Sequence, residues 1–192
     1  MPKRLSREFY TRSTLIVAKD LLGKYLVRRV GRKTLVGKIV ETEAYIGPKD
    51  KASHSYGGKI TDRTKTFYLK GGHLYVYLCY GIYLMLNIVT EKENKPEAVL
   101  IRALEPVGKY DFSKIKNLSN GPGKLCRWLE IDKSFNGEDL TKSKRIWLES
   151  RGEKMKKSRI KASRRIGVDY AREWANKPWR FYIFENPSVS RR

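Results

Sequence analysis

The stretch LYVYLCYGIYLMLN, residues 74–87, leaves the chain few ways to fold. Two runs dense in tyrosine, leucine and β-branched residues flank the pair Tyr80-Gly81, and that pattern reads as a β-hairpin with a tight turn. Gly81 supplies the backbone freedom such a turn needs. Tyr80 is not a usual turn residue, and its ring should project from the tip. Ordinary hairpin packing accounts for most of the tyrosines here, among them Tyr75, Tyr77 and Tyr83. It does not account for Tyr80, whose ring needs something to enter.

Charge narrows what that something is. Lys and Arg number 42 against 20 Asp and Glu, a formal net charge of +22. Self-repulsion of this size costs stability, which points to a polyanionic partner. Nucleic acid fits best, and a gap between stacked bases is then the slot for Tyr80. A generally cationic surface, or an assembly role in a ribonucleoprotein, is the alternative. An anionic membrane surface fits less well, because no long basic amphipathic helix is apparent.

With 192 residues and 40% hydrophobic residues, the chain can bury a real core, and one domain over 1–192 is expected. No signal peptide and no apolar run of about 18 residues is present, so an intracellular location with no membrane partner is expected. Cys79 and Cys126 lie in apolar contexts and are expected as buried thiols. Beside them stand only His54 and His73, so neither a metal site nor a cofactor is expected.

Along the chain, STLIVAKDLLG reads as a helix from Ser13 to Gly23. Strands follow at KYLVRRV and KTLVGKIVETEAY, joined by Gly31-Arg32. Residues 46–73 form a polar loop, of a length that is usually functional or mobile. After the hairpin come a strand, EAVLIRALEP, and NGPGKLCRWLEI, a loop entering a short helix near Pro122. The run RGEKMKKSRIKASRR, 151–165, is a solvated loop or a phosphate-contacting one. A last strand lies in KPWRFYIF. The order is mixed and rich in β structure, hence an α+β fold.

Two segments carry candidate chemistry. In IVETEAY, alternation places Ile39, Glu41, Glu43 and Tyr45 on one strand face. The acids are either paired to surface lysines or, for one of them, held in a cleft to take a proton from water. In AVLIRALEP, Arg102 interrupts an apolar strand and calls for a carboxylate partner, Glu41 or Glu43. It either fixes strand register or orients a glutamate and a water.

Taken together, GKIVETEAYIGPKDKASHSYGG, GGHLYVYLCYGIYLMLNIV, AVLIRALEP, NGPGKLC and KPWRFYI make the chain resemble the 3-methyladenine (alkyladenine) DNA glycosylases, from about Leu5 to Ser190. The resemblance implies a glycosylase acting on double-stranded DNA that contains damaged purines; a DNA-binding protein that kept the fold but lost activity, or a bifunctional glycosylase/lyase, is the alternative, and a monomer without a cofactor is expected. It implies a single mixed domain, with a curved antiparallel sheet wrapped by helices and a protruding hairpin. It gives Glu43 the role of general base and has Arg102 hold the attacking water. Tyr45, His54, Tyr77 and Asn87 would line the base pocket, Asn87 testing the purine edge. Tyr80 would fill the space left by the flipped nucleotide. Apart from the resemblance, Lys124 is a candidate phosphate contact by its charge. One departure is Thr66 in KTFYLKGG, where family members often carry Met.

Overall fold

The computed structural model describes residues 1–108, 117–153 and 155–190; Lys154 of the basic run lies outside them. Its central strand is β3, Lys33–Ile46, built from β-branched and apolar residues without a proline to break it. Its first half pairs with β2, Tyr25–Val30, across the two-residue turn Gly31-Arg32, with Val30 opposite Lys33. Its second half is held on both sides. Gly37–Ile46 pair with β6, Glu97–Pro106, and Glu41–Glu43 pair with β9, Arg180–Ile183. The register with β6 is irregular around Glu41, at the point where Arg102 faces the acids.

The other strands extend this frame, and every pairing is antiparallel. The order is β1 (Lys3–Arg4), β7 (Ile146–Ser150), β2, β3, β6, β5 (Tyr83–Thr90), β4 (Leu74–Cys79). Strand β8, Ile160–Ser163, joins through β9. Helix α1 is the single turn Arg7–Tyr10. Helix α2, Thr14–Asp20, packs on β3 and β6, burying Val17 and Ala18, and the Thr42 hydroxyl donates to the Ala18 carbonyl at 2.8 Å. Helix α3, Pro122–Trp128, packs on β5 and β6 through Leu125 and Cys126. The core runs continuously from α2 under the sheet to α3, with Leu26, Ile39, Val40, Ile101 and Leu104 fully buried. No helix among the described residues is long and apolar enough to cross a membrane.

Several expectations need correction. Helix α2 ends at Asp20, short of Gly23. The basic run is not one loop: β8 lies within it, paired to β9, and Arg165 is buried. Cys126 is buried, but Cys79, close to the hairpin tip, is only half-buried. The 46–73 segment contains 3-10 turns at Gly47–Lys49, Tyr56–Gly58 and Lys65–Tyr68. It is tied to the body by polar bonds, such as the Ser55 hydroxyl to the Pro96 carbonyl at 2.9 Å. Thr66 is buried there, and its neighbour Phe67 packs on Tyr75 with ring centroids 4.4 Å apart.

The hairpin register also differs. Cys79 stands opposite Tyr83, so three residues, Tyr80, Gly81 and Ile82, make the connection. The Ile82 amide donates to the Cys79 carbonyl at 3.1 Å. Tyr80 and Gly81 both take positive φ, 50° and 71°, the sense of turn that matches strand twist. A tyrosine in that region is strained, yet its ring is 89% exposed and gains nothing from packing. Ile82, 70% exposed, shares the tip.

Tyr80→Asn is therefore expected to leave stability unchanged or raise it by up to about 1 kcal/mol, because Asn tolerates the left-handed region. Urea unfolding checks this. A loss of more than about 1 kcal/mol would mean that the ring is sheltered.

Candidate active site

Strand β3 brings Glu41 and Glu43 into the interior, and neither has exposed surface. Two arginines from the flanking strands meet them. Arg102 on β6 donates from Nε to Glu41 Oε1 and from Nη1 to Glu43 Oε2, both at 3.2 Å. Arg180 on β9 donates from Nη1 to Glu41 Oε1 at 2.8 Å, and the Ser190 amide donates to Glu41 Oε2 at 2.7 Å. Arg102 thus pairs with both acids, and the surface-lysine alternative falls, because the partners are buried guanidiniums.

Glu43 is held differently from Glu41. Besides Arg102, its Oε2 accepts the Tyr45 hydroxyl at 2.9 Å, and its Oε1 accepts the Ile166 amide at 2.8 Å. These three partners all line one cavity of about 450 Å³, so Glu43 sits directly behind the cavity wall. Burial pushes its carboxyl above the usual range, against the opposing pull of Arg102, the Ile166 amide and Tyr45. A base with raised proton affinity, next to a cavity, is suited to taking a proton from water near neutral pH.

Aromatic rings make part of the remaining wall, with Ala52, Met85, Leu100 and Val168 beside them. His54 meets Tyr77 edge-on at 4.4 Å, and Tyr77 stacks on Tyr75 at 5.2 Å. The cavity reaches Tyr80 at the hairpin tip. Tyr45, His54, Tyr77, Tyr80 and Arg102 therefore come together as lining residues. Asn87 is buried, and its Nδ2 donates to the Tyr75 carbonyl at 3.1 Å. It faces a smaller void of about 20 Å³ shared with Tyr45, His54 and Tyr77, large enough for roughly one water. Lys124 is exposed on α3 and donates to Asn120 Oδ1 at 3.0 Å; it does not line the cavity, although Pro122 does.

The sequence did not mark Arg63, Tyr170 or the Ile166–Val168 segment, all of which line the cavity. Arg63 sits in a polar loop with no periodicity to read. The Ile166 amide is placed by a distant contact. Arg165, its neighbour, pairs with Asp50 at 2.5 and 2.9 Å, and both are fully buried. Asp50 also accepts the Ile46 and Ala52 amides. The pair thereby fastens the loop carrying His54 to the loop carrying Ile166.

The tautomer of His54 follows from its partners. Arg63 Nη2 lies 3.3 Å from His54 Nε2, and arginine can only donate. Nε2 therefore accepts, and Nδ1 carries the hydrogen toward Tyr75 Oη at 3.0 Å. The neutral ring fits this geometry. Burial first, and then the charge of Arg63, lower the His54 pKa to about 4.

The family model for methylpurine-DNA glycosylase (MPG) matches residues 8–187. The chain is 51% identical to a Clostridium novyi (strain NT) protein named "Putative 3-methyladenine DNA glycosylase", over 99% of this chain and 100% of that one. A Clostridium perfringens (strain SM101 / Type A) protein of the same name is 48% identical over 98% of this chain and 100% of its own. One from Natranaerobius thermophilus is 46% identical over 97% and 98%.

A histidine whose folded pKa lies below its unfolded value binds its proton more readily when unfolded. Its contribution is therefore neutral above about pH 6.5 and turns destabilising as pH falls toward 4. His54→Gln is expected to flatten the fall of Tm between pH 6.5 and 4.5. Equal slopes in the variant and the parent would show that His54 is not held neutral.

Proposed function

The chain belongs to the methylpurine-DNA glycosylase family, and on that premise we propose that it excises damaged purines from duplex DNA with a water activated by Glu43. The observation that carries this reading is the placement of Glu43. It is a fully buried carboxylate whose three donors all line an aromatic cavity that ends at the hairpin tip. A stacked base cannot enter such a cavity, so the nucleotide must rotate out of the duplex, at a cost of a few kcal/mol. Tyr80 offsets part of that cost by filling the gap. Alkylated purines, and deaminated ones such as hypoxanthine, are the substrate class.

In the chemical step, Glu43 takes a proton from water, the water oxygen bonds to C1′, and the N-glycosidic electron pair leaves with the base. N-alkylation makes the purine the better leaving group. Oxocarbenium character on the sugar is met by the same carboxylate. Glu43 has no exposure of its own, so the transfer needs a small opening in the wall formed by Tyr45, Arg102 and Ile166. Arg102 keeps Glu43 in place and presents its own guanidinium to the cavity, where it orients the water. Tyr45, His54 and Tyr77 supply stacking surface for an electron-poor ring, worth about 1 kcal/mol or more when desolvated. No lysine is among the described residues that line the cavity, which favours water over an amine nucleophile and an abasic site over a nicked strand. The active form in this reading is a monomer, a single domain that works inside the cell.

Glu43→Gln is expected to lower base release roughly 10²–10⁴-fold. Binding to damaged duplex should be kept, because Gln matches Glu in shape and keeps an acceptor oxygen for the donors Tyr45, Arg102 and the Ile166 amide. Retained turnover would reject the general-base role, and the product, abasic or nicked, separates hydrolysis from lyase chemistry. The +22 charge predicts a second outcome: log affinity should fall with log salt at a slope of about −0.9 per phosphate contacted. A flat response would reject the DNA assignment.

A further inference from the structure

Two guanidiniums line the cavity, and they differ in how their charge is met. Arg102 is neutralised by Glu41 and Glu43. Arg63 is exposed at the mouth, and among the described residues no carboxylate pairs with it. Its contacts are aromatic. The guanidinium carbon lies 5.6 Å from the Tyr77 ring centroid, and Nη2 lies 3.3 Å from His54 Nε2. The direction of the arm is fixed from behind. Thr61 and the buried Thr64 exchange hydrogen bonds at 2.9–3.2 Å, and the Thr64 hydroxyl also bonds the Lys59 carbonyl at 2.9 Å. Arg63 is launched from that braced turn onto the rings on which a base would stack.

We propose that Arg63 is a charge selector, its uncompensated guanidinium favouring an uncharged damaged purine over one that carries a fixed positive charge. The inference rests on the glycosylase reading and deepens it. The aromatic walls attract a cationic ring through their faces, and Arg63 opposes that preference. Arg63 acts on net charge, because a base against Tyr77 and His54 lies next to its guanidinium. Arg63 also withholds the His54 Nε2 lone pair from an incoming base, so a purine that takes up that nitrogen must displace the arginine first. Cationic N-alkyl purines leave the sugar readily by themselves. A site that disfavours them gives up little and gains reach toward neutral lesions, whose bonds need more help.

The test measures the affinity of a Glu43→Gln protein for duplexes that carry 7-methylguanine or hypoxanthine, each relative to undamaged duplex, with and without Arg63→Ala. Loss of Arg63 is expected to raise the cationic-to-neutral affinity ratio on the order of tenfold, more at low salt. An equal change for both lesions, or a fall in the ratio, overturns charge selection and leaves base excision standing. Failure of the unsubstituted protein to release any damaged purine overturns the glycosylase reading and this one with it. A second readout needs no chemistry. Arg63→Ala should raise the His54 pKa measured by NMR, and an unmoved titration would show that the guanidinium is not felt inside the cavity.

Discussion

Burying two carboxylates side by side on one strand is the constraint that shapes this molecule. Each would be costly alone in the interior, and the nearness of the two adds repulsion. The fold answers with Arg102 from β6 on one side of β3 and Arg180 from β9 on the other, which balances the charge. The same pairings explain why β3 has partners on both sides at Glu41–Glu43. The balance is uneven within the cluster. Glu41 is bonded by both arginines and by the Ser190 amide, which commits it to structure. Glu43 keeps one arginine and two neutral donors. Of the two, it is the one whose donors all line the cavity.

Around that cluster, loops are held by buried polar contacts more than by apolar packing. Asp50 and Arg165 are far apart in sequence, yet their ion pair fixes both the His54 loop and the Ile166 amide. Arg165 also lies over Tyr45 and Trp179, so one guanidinium supports the aromatic wall as well. Removing one member of such a pair leaves a buried charge with no partner, a cost of about 3–5 kcal/mol. The geometry of the cavity therefore depends on residues that never touch its contents.

What could be read from the sequence was what local periodicity encodes. The two arms of the hairpin and β3 show as strands in local pattern, and Arg102 as a break in an apolar run, but the strict alternation read from Ile39 to Glu41 is interrupted where the register with β6 shifts. The Gly31-Arg32 turn is legible for the same reason. Long-range contacts were not. Nothing local announces that Arg165 will be buried while other residues of the same basic run stay exposed, or that Ile160–Ser163 will pair with β9. Arg63 carried no signal because its neighbours, Tyr77 on β4 and His54 elsewhere in the same loop, meet it only through tertiary contacts. At the hairpin tip the pattern erred by one residue. Ile82 joins the turn instead of the strand, and composition alone does not fix a register.

The backbone at Tyr80 has one more consequence. Two successive left-handed residues hold the ring outside the body before any duplex is present. A probe already extended needs no reshaping on arrival. In the proposed reading the ring enters without a prior change of backbone, so the cost of opening falls on the DNA and is least at pairs already weakened by damage.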